Sequence, residues 1–168
     1  MSLRTGIPLR RVLFLALLAG GAMADERIAH PIAAVNATNG IALKGYDPVA
    51  YFTTGKPTPG TTEFSSSWNG VTYRFASATD LNLFTADPEK YAPQYGGYCA
   101  YAISINRIAD IDPSEWAIVD HKLYLNNNSL SQALWSLNKY SRIISGDRNW
   151  AALPKTSIDS LTNPVSVP

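Results

Sequence analysis

The sequence predicts an α+β fold: a small antiparallel sheet from two hairpins, with a short helix and a longer C-terminal helix packed on it. Three observations carry this. Residues 64–68 and 71–75 flank Asn69-Gly70, a pair whose tolerance of positive φ is the strongest short-range hairpin signal. A second pair of segments, WAIV at 116–119 and LYL at 123–125, is rich in strand formers and closed by Asp120-His121-Lys122. Beyond it Leu130, Ala133, Leu134, Leu137, Tyr140 and Ile144 recur at helical spacing, with Gly146 as a stop.

The chain of 168 residues is long enough for one domain with a real core. Residues 1–24 read as an export signal: Arg4, Arg10 and Arg11 form a basic start, residues 12–19 an apolar run, and Ala22-Met23-Ala24 a small-residue cleavage site. The apolar run falls far short of the roughly 20 residues of a membrane span. The expectation is therefore a periplasmic or secreted protein cleaved after Ala24, with no membrane anchor; the paired arginines also resemble a twin-arginine signal. Removing three arginines and no acids leaves 11 basic against 13 acidic residues, a net charge of −2. With no basic cluster interleaved with aromatics, nucleic acid is not an expected partner.

In chain order, residues 25–40 read as an extended lead-in, and His30 within it as solvated. Residues 41–52, IALKGYDPVAYF, are punctuated by Gly45 and Pro48, so a turn is expected, with Asp47 bonding the following backbone or facing a pocket. Phe64, Trp68, Val71, Tyr73 and Phe75 supply one buried face of the first hairpin. Ser77 with Asp80 resembles a capping box, opening a short helix with Leu81 and Phe84 inward that ends before Pro88. In residues 91–102, YAPQYGGYCAYA, Pro93 and Gly96-Gly97 interrupt any helix, and the glycines allow a sharp turn or a close approach. Residues 98–103 fit a helix or a strand equally. Asp112-Pro113-Ser114-Glu115 has the form of a helix start, which suggests one helical turn. Ser129 with Gln132 forms another capping box ahead of the long helix. Trp150 returns toward the core, and residues 154–168 read as a flexible tail. No internal repeat of 20 to 50 residues is visible, nor a nucleotide-type glycine loop.

GYDPVAYF, Tyr73-Arg74-Phe75-Ala76-Ser77, FTADPEKY at 84–91, YAPQYGGYCAYA and DPSEWAIVDHKLYLN at 112–126, with the late Trp150, together resemble the exported branch of the YHS-domain family, over about residues 41–153. The motif YGGYCA is the most specific part. The resemblance implies a module related to metal-associated domains, whose ligand slots carry over to Ala50, Ala76 and Asp80; two of these bind no metal. Similar sequences carry glycine where this chain has His121, so His121 reads as a turn substitution.

A structural zinc site needs about four ligands, and this chain offers Cys99, His30 and His121. Cys99, the only cysteine, reads as a buried structural thiol or as a soft ligand for Cu(I). A cysteine enzyme would need a base, and His121 is the one imidazole placed to serve. Tyr91, Tyr95, Tyr98 and Tyr101 read as core or as pocket lining, and Asp110 and Asp112 as solvated surface. The leading reading is a non-enzymatic periplasmic binding or accessory module, its ligand-binding site around Tyr46, Asp47, Tyr95 and Cys99, taking a metal ion such as copper through Cys99. The alternative is a protein-interaction module using an aromatic surface, with a protein partner. A thiol-dependent enzyme comes third.

Overall fold

The computed structural model of the chain describes residues 32–156. The leader, His30 and residues 157–168 of the expected tail lie outside them. The Asn-Gly hairpin forms as its turn chemistry requires: β4 (Thr61–Trp68) and β5 (Val71–Phe75) are antiparallel, and Asn69 and Gly70 take φ of 50° and 76°. Ahead of it lie β1 (Ile32–Ala33), β2 (Ala37–Thr38), β3 (Ile41–Ala42) and the short α1 (Ala50–Thr53). The first sheet has the order β2-β3-β5-β4, with β3 parallel to β5. After it, α2 (Ala78–Ala86) starts on Ser77, whose side chain accepts the Asp80 N–H, and stops at Asp87, which caps α3 (Pro88–Tyr91) in turn.

The second half contains α4 (Ala100–Ser104), the antiparallel pair β6 (Asp112–Val119) and β7 (Lys122–Asn126), α5 (Ser129–Leu137), α6 (Lys139–Ala152) and β8 (Lys155–Thr156). The mixed α+β architecture is as expected, and of residues 98–103 the last four lie in α4, with Cys99 as its cap. The two-residue turn of the second hairpin is Asp120-His121, both left-handed at φ of 50° and 60°, and Lys122 belongs to the strand. At the start of the expected tail, β8 pairs in parallel with β1.

Two local expectations are corrected. Residues 112–115 are not a helical turn but the irregular start of β6. Asp112 Oδ1 accepts the Ser114 N–H at 2.9 Å, an Asx turn inside the bulged stretch between Asp112 and Trp116. The long helix from Leu130 is two helices broken at Asn138, whose φ of −138° is extended. The side chain of Asn128, rather than Ser129, caps α5 by accepting the Ser131 N–H. Leu130 and Leu137 of α5 and Tyr140 and Ile144 of α6 all lie exposed, and only Trp135 of α5 is fully buried. Gly146 sits inside α6, where a Cβ would come within 2.5 Å of the Tyr95 hydroxyl.

No repeat is visible in the sequence, yet the fold is built from one unit used twice. Thr61–Trp68, Val71–Phe75 and Ala78–Ala86 are followed 51 residues later by Asp112–Val119, Lys122–Asn126 and Ser129–Leu137, each of equal length. The bulges recur at the same offset, between Thr61 and Ser65 and between Asp112 and Trp116. So do the caps Ser77 and Asn128, and the Asp87 and Asn138 breaks that each start another helix. Upstream, Leu43–Gly45 and residues 95–97 form matching left-handed turns, each closed by the N–H of a tyrosine, Tyr46 or Tyr98, onto the carbonyl three residues before.

The units stack head to tail. Val71, Tyr73, Phe75 and Phe84 of the first unit face a core that is completed by Leu123 and Leu125, with Trp116 and Ile118, from the outer face of the second. The inner face of the second unit, Ala117, Val119, Tyr124 and Trp135, builds another core closed by Ile143, Trp150 and Leu153. The first unit's own outer face carries Ser65, Ser67, Thr72 and Arg74 where the second carries Trp116, Ile118, Leu123 and Leu125. Identical backbone with opposite polarity follows from position: one face is covered and the other meets water, as in the terminal unit of a repeat array. Leu125→Arg would bury an unpaired charge and lower the urea midpoint by the equivalent of several kcal/mol. The reciprocal Arg74→Leu should move it by no more than about 1 kcal/mol. Comparable losses from the two substitutions would contradict this stacking.

Candidate functional site

The four residues singled out by sequence do not converge on one pocket. Asp47 is fully buried, and Oδ1 accepts the N–H groups of Val49 at 2.8 Å and Ala50 at 3.3 Å while Oδ2 accepts that of Ala76 at 2.8 Å. The carboxylate thus ties the turn before α1 to the end of β5. Burial pushes its pKa up to about 6, against the lowering effect of the N–H bonds from Ala76, Val49 and Ala50 and with the nearby Asp80 charge adding to the rise. Tyr46, half-buried, packs beside it against the first core.

Cys99 occupies the corresponding place in the second unit. It caps α4, its Sγ accepting the Ala102 N–H at 3.5 Å and donating to Asn126 Oδ1 at 3.6 Å. Asn126, fully buried at the end of β7, also accepts the Tyr101 N–H at 2.9 Å and donates to Gln132, which donates in turn to the Trp116 carbonyl. Cys99 and Asp47 therefore make the same connection, from just after a left-handed turn and its closing tyrosine to the end of the second hairpin strand. One uses a carboxylate on backbone, the other a thiol on an amide. The thiol is 1% exposed. His121 is exposed at the far tip of the hairpin, five residues from Asn126 or roughly 17 Å along an extended strand. The thiol and the imidazole are not a pair.

Tyr95 lies in the other core. Held left-handed at φ 55°, it sends its hydroxyl to Asp147 Oδ1 at 3.0 Å and to the Ile143 carbonyl at 3.3 Å, and its ring packs on Tyr124 and Trp150. Burial, and then the Asp147 charge, push its pKa far above the ordinary tyrosine range. Gly96 follows with its backbone against the lead-in: a Cβ there would meet the Ala34 carbonyl oxygen at 2.1 Å, which fulfils the close approach expected of this glycine. Among the described residues no group of three His, Cys, Asp or Glu side chains is placed to hold a metal ion.

The features open to solvent lie elsewhere. A concavity of about 430 Å³ on the outer face of the first unit is lined by Thr38, Asn39, Ile41, Lys44, Arg74 and Asp110. One of about 330 Å³ sits at the α5–α6 junction, between Leu137 and Tyr140. A third, of about 270 Å³, lies at the seam of the termini, with Trp68, Tyr73 and Trp150 in its walls. None is lined by Tyr46, Asp47, Tyr95 or Cys99. Sequence reasoning missed the first two. The signal for one was Arg74, a charge between Tyr73 and Phe75 that marks the outward side of a strand. For the other it was Asn138, a poor helix former in the middle of an apolar period.

A family model described as the YHS domain matches residues 49–95. This supports the YHS family for a stretch that runs from the end of the Asp47 turn, through the first hairpin and α2, to the start of the second left-handed turn. The matched stretch therefore corresponds to the first of the two units, and the second lies beyond it. No curated protein and no solved structure matches the chain.

Two outcomes test this account. With a folded pKa of about 6 above its unfolded value, Asp47 binds more protons in the folded state between those two values. Its contribution to stability therefore rises as pH falls from about 7 toward 4. Urea unfolding of the wild type, set against Asp47→Asn, should show this slope only in the wild type; parallel pH profiles would refute it. The Cys99 thiol should react with a disulfide reagent in the native protein only as fast as the protein opens, and at the free-thiol rate in denaturant. Rapid native labelling would place the sulfur at the surface.

Proposed function

We propose that the mature chain is a non-enzymatic binding module acting outside the cytoplasm, and that it docks a partner protein on the apolar face of α5 and α6. One observation carries the reading: Leu130, Leu137, Tyr140 and Ile144 stand 67%, 75%, 59% and 71% exposed on this pair of helices. Apolar side chains of this size are costly to leave in water, and where they cluster they mark interaction surfaces. The repeated unit supplies an internal control. At the equivalent places of α2 and α3 the chain has Thr79, Ala86 and Glu89, so the backbone makes no demand for apolar residues there. The concavity between Leu137 and Tyr140 gives the face a receptor as well as projections. Export rests on the leader-like residues 1–24, and none of the described helices is long and apolar enough to cross a membrane.

The YHS match brings a metal reading with it, and Cys99, which lies beyond the matched residues 49–95, is the soft ligand that copper would call for. The surroundings of Cys99 do not fit one. Its sulfur is committed to a helix cap and a buried amide, and among the described residues no group of three Cys, His, Asp or Glu side chains is placed to hold an ion with it. Elemental analysis of the mature chain, purified without chelator, should find far less than one metal per chain. One copper per chain, lost in Cys99→Ser with the fold intact, would restore the metal reading.

The docking reading is tested by a photoreactive residue at position 137, with position 86 as the control on the equivalent helix. Irradiation of the producing cells should give discrete protein adducts from 137 alone. An adduct of twice the chain mass identifies a second copy, any other discrete mass a different protein. No adduct from 137, or the same adducts from 86, would sink the proposal. Leu137→Asp and Ile144→Asp should remove the adducts formed from position 140, with stability unchanged to within about 0.5 kcal/mol.

A further inference from the structure

The concavity on the outer face of the first unit is independent of the helical face. Its floor is the half-buried Arg74 of β5, whose side chain runs over Gly45 and beside Gly60. A Cβ at Gly60 would meet the Arg74 backbone at 2.4 Å, and one at Gly45 would touch Cδ and Nη1 at 3.7 and 3.8 Å. The glycines let main chain lie close against the backbone and side chain of Arg74. Among the described residues the guanidinium takes part in no ion pair.

Lys44 and Asp110 stand on the rim, but their charges are matched. Lys44 Nζ lies 2.8 Å from Asp110 Oδ2, while Asp110 Oδ1 accepts from Asn36 Nδ2 at 2.9 Å and from the Ile111 N–H at 2.8 Å. The pair is held from both sides, Lys44 by its left-handed backbone at φ 54° and Asp110 by its bonds to Asn36 and Ile111. Thr38 and Asn39 add a hydroxyl and an amide to the same wall. The concavity therefore carries one uncompensated positive charge, on a planar fork of donors, with neutral donors around it.

The stacking of the two units shows that the fold does not need that charge. Leu125 occupies the Arg74 position in the second unit, and the first unit's equivalent surface could be polar without being cationic. We propose that this concavity binds a carboxylate group, taken bidentate by Arg74, with Thr38, Asn39 and Lys44 as flanking donors. A single net charge suits a carboxylate, and a volume of about 430 Å³ lies in the range of small-molecule pockets. A small organic acid and the carboxyl end of a peptide present the same group, and the experiment separates them.

The mature chain is titrated at low ionic strength with succinate, and with tri-alanine having a free or an amidated carboxyl end, following the Arg74 Nε–H resonance by NMR. The proposal expects saturable shifts with at least one carboxylate, none with the amidated peptide, and weakening as salt is raised. Saturation by succinate but not by the free peptide identifies a small acid; the reverse identifies a chain terminus. Arg74→Gln should weaken binding roughly ten- to a hundred-fold with an unchanged thermal midpoint, and Arg74→Lys should recover only part of it. Should Arg74→Gln not fold, Arg74→Lys together with Lys44→Met decides. Lys44→Met leaves Asp110 unneutralised beside the site and should weaken carboxylate binding. No saturable shift with any carboxylate, equal shifts with the amidated peptide, or binding unaltered in these variants would overturn the proposal.

Discussion

Strand β7 has to be apolar on both faces, and most of the architecture depends on that. Leu123 and Leu125 complete the core of the first unit, while Tyr124 between them belongs to the core of the second. A strand with one wet face alternates; this one reads as an unbroken run because neither side meets water. Around it the chain arranges the elements that must cover each side, α2 and the first sheet on one, α4 and α6 on the other. The buried chain from Cys99 through Asn126 and Gln132 to the Trp116 carbonyl fixes where the strand ends. Since these polar groups are buried together, losing one partner leaves the others without a hydrogen bond, which costs more than the bond itself contributes.

The unit used twice explains why similar chemistry appears under different letters. Asp47 and Cys99 look unrelated in sequence, a carboxylate and a thiol, and invite separate functional readings. In the fold both are short acceptors at the start of a short helix, reached after a left-handed turn and a tyrosine, and both reach the end of the following hairpin. A solitary cysteine draws attention because thiols are reactive. Here its weak acceptor sulfur and weak S–H donor serve a cap and an amide, and its isolation from His121 removes the base a nucleophile would need.

The hairpins, the Ser77 cap and the Asp87 stop were legible because each depends on local chemistry: positive φ at Asn69-Gly70, a hydroxyl three residues before an acceptor of capping, a proline after the last turn. The repeat was not, because it is conserved in backbone rather than in side chains. Of the equivalent positions, Gly45 and Gly97, Tyr46 and Tyr98, and Tyr73 and Tyr124 are among the few that share a residue. The outer faces of the hairpins differ by necessity, since one is buried and one is wet, so sequence comparison of the halves finds its largest discrepancies where the structural equivalence is closest. The α5–α6 break failed for another reason. Leu130, Leu137, Tyr140 and Ile144 do share a face on an ideal continuous helix, and periodicity alone cannot tell a stripe meant for the core from one left in water. The site residues could not be placed either, because Tyr46 closes the left-handed turn of the first unit while Tyr95 opens that of the second, and the two face different cores.

A head-to-tail interface has a property that a two-fold one lacks: it does not close on itself. A unit whose two hairpin faces were both apolar could add copies without limit, each outer face seated on the inner face of the next, and the product would be a fibre. This chain is sealed at both ends. α6 lies over the inner face of the second unit, with Trp150 and Ile143 filling the place a third would take. At the other end Ser65, Ser67, Thr72 and Arg74 present a surface that no copy of the inner face would cover without burying a charge. The polar face of the first unit thus keeps this stacking contact from repeating on that side.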